Sequence, residues 1–254
     1  MEQRGISFEV EGFRLIGQVY IPDRRPSPAL ILCHGVPRGG ISDPNDRGYP
    51  ALAERLCQAG FVTLIFNFRG TGDSGGNFDI LGWTRDLEIV LNFLSDMGEV
   101  DRGRISVMGF SGGAAVSVYV AAKDLRVSSI IACACPTKFR FAADAERAKS
   151  AIEHFRNIGI IRDQDFPPSI ERWIDGFEEV SPLNWIDKLS PRPLLIIHGT
   201  QDEVVEPSSA WALYERAGEP KDIIIIEGAG HRLRVDEKAI DGALNWLKAQ
   251  LGRD

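Results

Sequence analysis

The chain has 254 residues, of which 44% are hydrophobic and 26% are charged, and its formal net charge is -7 at pH 7. This composition is typical of a globular protein that can bury a sizeable core, and the negative charge argues against nucleic acid or an anionic membrane as a partner. No apolar run approaches ~18 residues, and the first residues, MEQRGISFEVEG, lack the apolar core of a signal peptide, so we expect a cytoplasmic chain without a membrane span.

The N-terminal half of the chain begins with two short segments, 6–12 and 14–22, in which apolar and polar residues alternate. Such alternation predicts an antiparallel hairpin at the edge of a sheet. Continuous apolar runs then alternate with segments of helical periodicity, as expected when buried strands are joined by helices. In chain order these predict a strand at 28–35, a helix at 49–60, a strand at 61–70, a helix at 83–97 with Thr84 as its N-cap, a strand at 104–111, a helix at 112–122 and a strand at 127–135.

Residues 137–190 interrupt this alternation, because they are richer in charge and predict two helices, at 144–158 and 169–180. The alternation resumes with a strand at 192–199, a helix at 208–218, a strand at 221–230 and a helix at 236–251. The pattern predicts an α/β fold on a mainly parallel sheet of about eight strands with helices on both faces. We expect residues 1–136 and 191–254 to form this core. Residues 137–190 would form a small helical cap above the carboxyl ends of the strands, where ligands bind in such sheets.

The four cysteines of the chain are Cys33, Cys57, Cys133 and Cys135. Three of them lie in apolar, strand-like runs, and the last two have C-x-C spacing rather than the C-x-x-C of redox and zinc sites. We therefore expect buried, reduced thiols and no metal site.

The segment GFSGG, residues 109–113, stands where a predicted strand meets a predicted helix. A G-x-S-x-G match alone is weak evidence, because a chain of this length contains one by chance on the order of one time in ten. A position between a strand and a helix is, however, what a nucleophile elbow requires, with glycine where a side chain would collide with the backbone. Ser111 would then present its hydroxyl at a helix N-terminus, which favours developing negative charge.

A serine nucleophile needs a base, and the chain offers four histidines. His34 ends an early predicted strand, and His198 ends a later one. His154 lies within residues 137–190, which we call the insertion. His231 follows the last strand in a glycine-flanked loop that can bring its imidazole over Ser111, so we select it as the base. We expect His34 to brace its own loop by hydrogen bonds rather than to transfer protons.

The histidine should be oriented by a carboxylate on another loop at the carboxyl edge of the sheet. The segment HGTQDEVVEP offers Asp202, Glu203 and Glu206. Asp202 lies inside the loop, whereas Glu206 precedes Pro207 at the start of the next helix, where a carboxylate has a structural role as a cap. We therefore choose Asp202, which gives the order serine, aspartate, histidine that this triad has on an α/β sheet.

An acyl-transfer site also needs amide donors for the oxyanion. One candidate is the amide of Gly112, directly after the proposed nucleophile. The other is expected in the loop within CHGVPRGG, residues 33–40, and we name the amide of Val36. Glycines at 35, 39 and 40 would let this backbone approach the elbow, and a plain glycine loop is the alternative.

Five segments together resemble the α/β-hydrolase superfamily, in particular its compact bacterial esterases and serine-aminopeptidase-like proteins. They are HG at 34–35, FRGTGDSGG at 68–76, GFSGG at 109–113, HGTQD at 198–202 and GAGH at 228–231. The resemblance implies an α/β-hydrolase fold and ester hydrolysis through an acyl-enzyme, with Ser111 as nucleophile, His231 as base, and no metal or organic cofactor. In this family the RG-x-G-x-S stretch is a structural turn, so Arg69, Asp73 and Ser74 receive no catalytic role.

The leading interpretation is a serine hydrolase of the carboxylesterase type, acting on a small-molecule ester with a small or medium acyl chain, with a homodimer left open. A thioesterase and a peptidase or amidase stay open, and in a peptidase Glu178 and Glu179 could hold a substrate amino terminus. A binding protein that has lost the chemistry would be expected to lack a triad residue, and none is missing. Aromatic residues of the insertion, such as Trp173 and Phe177, could line an apolar cleft or only anchor a helix.

Overall fold

The computed structural model describes residues 1–39 and 46–252, which contain eight β-strands and seven α-helices. The strands are β1 (Glu2–Val10), β2 (Phe13–Ile21), β3 (Ser27–Cys33), β4 (Val62–Phe66), β5 (Val100–Phe110), β6 (Val127–Cys133), β7 (Leu194–Gly199) and β8 (Lys221–Ile226). The helices are α1 (Gly48–Gln58), α2 (Ile80–Asp96), α3 (Gly112–Lys123), α4 (Ala145–Asn157), α5 (Ile170–Glu179), α6 (Ser208–Arg216) and α7 (Glu237–Leu251). None of these helices is long and apolar enough to cross a membrane.

All eight strands form a single sheet in the order β1-β2-β4-β3-β5-β6-β7-β8. The hairpin of β1 and β2 pairs antiparallel with β4, and every pairing from β4 to β8 is parallel. The central strands are buried along their length, since helices cover both faces of the sheet. Apolar side chains of α2, α3 and α6 pack on one face, and those of α1 and α7 pack on the other. The predicted mainly parallel, eight-stranded α/β fold is confirmed.

Helix α2 begins earlier than the sequence pattern indicated, and the predicted N-cap at Thr84 is wrong. The cap is Asp79, whose carboxylate accepts a hydrogen bond of 2.8 Å from the amide of Gly82. Thr84 lies one turn inside the helix, where its hydroxyl donates to the carbonyl of Leu81. The apolar pair that follows Asp79 packs into the core and continues the helical face toward the N-terminus, so the helix starts at Ile80.

The predicted helices of the insertion are present as α4 and α5, between β6 and β7. On α5, the side chains of Trp173 and Phe177 are 3% and 2% exposed, and their ring centroids lie 4.5 Å apart. Both rings contact Phe78, which belongs to the segment before α2. These two aromatic residues therefore anchor α5 to the main core rather than line a cleft.

All four cysteines are buried and free of disulfide bonds. Burial raises the pKa of the Cys33 thiol to about 12 and raises the pKa values of Cys133 and Cys135 as well, because a thiolate is poorly solvated in an apolar interior. The cysteines thus act as small apolar side chains of the core.

Candidate active site

Ser111 occupies the turn between β5 and α3 with φ 53° and ψ -121°. A residue with a Cβ atom is uncommon at positive φ, and such a conformation persists only where the surroundings impose it. Here the amide of Ser111 donates to the carbonyl of Cys133 over 2.8 Å, and its carbonyl accepts from the amide of Ala114 over 2.9 Å. Hydrogen bonds to the neighbouring strand and to the first helical turn therefore hold the serine in place.

The glycines on either side of Ser111 are required by close backbone contacts. A Cβ atom on Gly109 would lie 2.5 Å from the Cα of Ala114, and one on Gly113 would lie 2.3 Å from the carbonyl oxygen of His34. Neither neighbour is a flexible side chain that could move aside. The two glycines thus allow the start of α3 to press against the ends of β5 and β3.

The structure brings His231 and Asp202 together from the loops after β8 and β7. The Nδ1 atom of His231 lies 2.8 Å from Oδ2 and 3.0 Å from Oδ1 of Asp202. An ionised carboxylate only accepts hydrogen bonds, so Nδ1 carries the proton and Nε2 of the neutral ring is free to accept one. The Asp202 side chain is fully buried and that of His231 is 13% exposed.

The carboxylate of Asp202 accepts further hydrogen bonds. Its Oδ1 atom accepts from the amides of Val204 and Val205, both over 2.9 Å, and its Oδ2 atom lies 3.2 Å from Nε2 of His198. Burial alone would raise the pKa of Asp202, but the bonds from His198, His231 and the two amides outweigh burial and hold this pKa well below its usual value. The aspartate is therefore ionised over the whole physiological range.

The loop after β3 lies directly against the elbow. A Cβ atom on Gly35 would lie 2.9 Å from the Cβ of Ser111, and one on Gly112 would lie 3.5 Å from the backbone nitrogen of Val36. Within residues 1–39 and 46–252, no hydrogen bond engages the amide of Val36 or of Gly112. Two amides that bond no described residue thus lie close to the serine. Gly40, also expected in this loop, falls outside the described residues.

Ser111 and His231 line one open cleft of about 1880 Å³, together with Val36 and Gly112. The insertion contributes the aromatic side chains of Phe139, Phe141 and Phe155 to the same cleft. No hydrogen bond joins Ser111 Oγ to His231 among the residues that the structure describes. The cleft thus holds the predicted serine, histidine and amides around a space large enough for an organic substrate.

His34 lies beside the elbow as a hydrogen-bonded brace. Its Nε2 atom accepts from the amide of Phe68 over 3.1 Å, and its Nδ1 lies 2.8 Å from the carbonyl oxygen of Gly35. The rings of Tyr49, Phe68 and Trp83 surround the imidazole, and burial lowers its pKa to about 4. The neutral ring ties the loop after β3 to the loop after β4.

The turn RGTGDS borders the cleft through Thr71 and Gly72, while its charged and serine side chains bond to the protein behind it. The Nε and Nη2 atoms of Arg69 lie 3.0 and 2.7 Å from Oδ1 of buried Asp86, and the hydroxyl of Ser74 donates to the carbonyl of Asn67 over 2.6 Å. Arg69, Asp73 and Ser74 are absent from the described residues that line the cleft. Their positions agree with a structural role.

Two features of the site were not anticipated from the sequence. Glu206 does not cap α6, since the residue at the cap is Pro207 and no side chain bonds the first turn. Instead, its carboxylate lies 2.9 Å from the guanidinium of Arg140, which belongs to the insertion. The contact between His198 and Asp202 was also missed. Its only signal in the sequence is that His198 lies four residues before the aspartate.

Comparisons with known proteins agree with this architecture. A family model described as the alpha/beta hydrolase family matches residues 30–242. The chain is 26% identical to the uncharacterized protein PA2218 of Pseudomonas aeruginosa, over 91% of this chain and 75% of that protein. Its fold is similar to that of the alpha/beta hydrolase GrgF from a Penicillium species (TM-score 0.76, 21% identity, 98% and 99% of the two chains covered). It is also similar to the esterase domain of a Rhodothermus marinus protein (TM-score 0.71, 21% identity, 98% of each chain). The chain belongs to the alpha/beta hydrolase family.

Proposed function

We propose that the protein is a serine hydrolase that cleaves carboxylic esters of small or medium acyl chains through an acyl-enzyme on Ser111. The observation that carries this proposal is that Ser111, on a strained turn, lines the same cleft as His231, whose imidazole is held by Asp202. The adjacent amides of Val36 and Gly112 bond no residue that the structure describes, and they are the donors that we propose for an oxyanion.

In the proposed reaction, Ser111 Oγ forms a bond to the ester carbonyl carbon while its proton passes to Nε2 of His231. The carbonyl oxygen becomes an oxyanion that accepts from the amides of Val36 and Gly112. The protonated histidine then gives its proton to the alcohol oxygen as the ester C–O bond breaks. A water molecule repeats these steps on the acyl-enzyme and regenerates the serine. Transfer requires Nε2 and Oγ to come within hydrogen-bond distance in the substrate complex, where such contacts commonly tighten.

We infer that residues 137–190 form the cap that shapes the acyl side of this cleft, over a core made of residues 1–136 and 191–254. A Cβ atom on Gly112 would lie 3.8 Å from Cε1 of Phe139, so this ring borders the proposed oxyanion site. Phe139 and Phe141 are edge-to-face neighbours 5.8 Å apart. An acyl group on Ser111 would therefore meet an aromatic wall.

The positions of two glutamates favour an ester over a peptide. Neither Glu178 nor Glu179 is among the described residues that line the cleft, and the carboxylate of Glu179 accepts a hydrogen bond from the hydroxyl of Tyr119. They are therefore poorly placed to bind a substrate amino terminus. A thioester presents the same carbonyl chemistry and is a second substrate type for the assay below.

The test is covalent labelling with a fluorophosphonate, combined with assays of p-nitrophenyl esters, thioesters and aminoacyl amides. We expect one label on Ser111, none on Ser111→Ala, and ester hydrolysis by the variant at least about 1000-fold slower. Ser150, an exposed serine that lines the same cleft, provides the control Ser150→Ala, which should label like the wild type. Labelling that persists in Ser111→Ala, or a wild-type protein that takes no label and hydrolyses nothing, would refute the proposal.

A further inference from the structure

His198, at the end of β7, is a fully buried histidine in contact with the aspartate of the site. Its Nε2 atom lies 3.0 Å from the carbonyl oxygen of Val205 and 3.2 Å from Oδ2 of Asp202. Its Nδ1 atom is buried and has no hydrogen-bond partner among the residues that the structure describes. The imidazole thus has one nitrogen between two oxygen atoms and the other buried with no described hydrogen-bond partner.

This environment selects one protonation state of His198. Both oxygen atoms beside Nε2 are acceptors, so Nε2 must carry a hydrogen. A second hydrogen on Nδ1 would make the ring cationic and leave a buried N–H group with no acceptor among the described residues, and an unpaired buried group costs more when it is charged than when it is a bare ring nitrogen. His198 is therefore a neutral Nε2–H donor, and it shares this hydrogen between Asp202 and Val205.

The same hydrogen bonds close a ring through the loop that carries the aspartate. The amide of Val205 donates to Oδ1 of Asp202 over 2.9 Å, while the carbonyl of Val205 accepts from His198. The imidazole therefore bonds both the carboxylate and the backbone that bonds that carboxylate. His198 belongs to β7 and is held in the sheet. Its hydrogen bond therefore fixes the orientation of the Asp202 carboxylate, which also faces His231, relative to the sheet.

We propose that His198 is a positioning residue of this active site: as a neutral donor, it holds Asp202 in the orientation in which its carboxylate accepts from Nδ1 of His231. The proposal rests on the proposed hydrolase function. His198 is not among the described residues that line the cleft, so it acts through Asp202 and not on the substrate.

The role as a donor has two measurable consequences. Without His198 the carboxylate loses a donor that fixes its plane, so we expect kcat to fall about 10- to 100-fold, as when partners one layer behind reacting groups are removed. KM should change little, because no substrate contact is lost. With one hydrogen-bond donor fewer, the Asp202 carboxylate would also stabilise the protonated form of His231 more strongly. The acidic limb in the pH dependence of kcat should therefore move to higher pH. The charged side chains that the segments after β7 and β8 contribute to the cleft beside His231, namely Glu203, Glu206, Arg232 and Arg234, stay the same in every variant.

Three substitutions separate the donor from simple packing. His198→Leu removes the donor, and His198→Gln restores it, since Gln Nε2 is as many bonds from Cα as the histidine Nε2. His198→Asn places its amide near the position of the unpartnered Nδ1 and serves as the matched control. We expect glutamine to keep kcat and the pH limb near wild type, and leucine and asparagine to lose kcat and shift the limb. An unchanged limb in folded His198→Leu, or equal losses with glutamine and leucine, would overturn the proposal.

A measurement on the wild-type protein is independent of how the variants fold. With ¹⁵N-labelled histidine, only four imidazoles contribute signals. We expect the His198 signals at pH 7 to be those of a neutral ring protonated at Nε2, and a ring protonated at Nδ1, or at both nitrogens, would overturn the inference. This result does not depend on turnover. A wild-type protein without hydrolase activity would therefore refute the proposed function, whereas an active protein with the wrong His198 tautomer would refute this inference alone.

Discussion

At the scale of single residues, the backbone of Ser111 combines a cost in stability with a proposed catalytic role. Its φ of 53° is unfavourable for any residue that has a Cβ atom, at a cost of about 1–3 kcal/mol. The hydrogen bonds to Cys133 and from Ala114 hold it there. This conformation directs the hydroxyl into the cleft. A substitution that removes both the strained Cβ atom and the hydroxyl should therefore stabilise the folded protein.

We expect Ser111→Gly to be more stable than Ser111→Ala by about 1 kcal/mol. Glycine removes the strained Cβ, and the gain exceeds the roughly 0.5–1 kcal/mol by which its extra freedom stabilises the unfolded chain. Both variants lack the hydroxyl, so the lost oxygen cancels in the comparison. Urea unfolding of the two variants measures the difference. A glycine variant that is no more stable than the alanine variant would show that the turn is not strained.

His34 predicts a pH dependence of stability. Burial lowers its pKa to about 4 from the value of 6.5 that an exposed histidine has. The unfolded chain therefore binds the proton more readily, so this contribution to stability is fully present above pH 6.5 and is lost as pH falls toward 4. Because the residue is partly exposed, we expect about 2 kcal/mol rather than the full value of the shift. The free energy of unfolding, measured with urea, should fall less between pH 7 and pH 5 in His34→Gln than in the wild type. Equal losses in the two proteins would contradict the assignment of this pH dependence to His34.

Chain order and residue chemistry were enough to predict that His231 and Asp202 would meet, because both follow strands whose carboxyl ends share one edge of the sheet. They were not enough to predict the contact of His198 with Asp202 or that of Glu206 with Arg140. The direction of a buried imidazole depends on the loop folded over it, and Glu206 pairs with Arg140, more than sixty residues earlier in the chain, and does not cap the helix start. Such long-range contacts leave no periodic signal in the sequence.

At the scale of secondary-structure elements, the start of α2 shows where pattern reading fails. Glycine is a poor helix former, so Gly82 makes the first turn of α2 look non-helical in the sequence. The helical spacing of apolar residues becomes clear only from Trp83 onward. The true cap, Asp79, satisfies an amide at the helix start, which a threonine inside the helix cannot do. Strand and helix identities were predictable from local patterns, whereas this boundary depended on one hydrogen bond.

We expect Asp79→Ala to lower the free energy of unfolding by about 1 kcal/mol, the usual cost of losing an N-cap side chain. Thr84→Val is the matched comparison, because valine keeps the volume of the buried threonine side chain and removes only a hydroxyl that bonds a carbonyl inside the helix. It should cost less than about 0.5 kcal/mol. The measurement is urea unfolding followed by circular dichroism. A larger loss in the threonine variant would reverse the assignment of the cap.

At the scale of the whole molecule, the insertion shares the core of the sheet. Trp173 and Phe177 pack on Phe78, and the guanidinium of Arg162 donates to the carbonyl of Ser74 over 2.7 Å. The sequence predicted a cap inserted after Pro136 but could not show this continuity, because charge and aromatic content do not reveal which rings face inward. Replacing residues 137–180 by a linker would uncover the core, so point variants are the better test of substrate preference.

This shared core predicts that the insertion and the sheet unfold together. Burying Trp173 and Phe177 stabilises the packed arrangement by about 2–3 kcal/mol for each ring, which opposes separate opening of α5. In native-state hydrogen exchange at rising urea concentration, we expect the amides of α5 and β6 to converge on one opening free energy. Trp173→Ala should separate them by lowering the opening free energy of α5 first. Exchange of α5 in the wild type at a much lower free energy, independent of urea, would instead identify a lid that opens on its own.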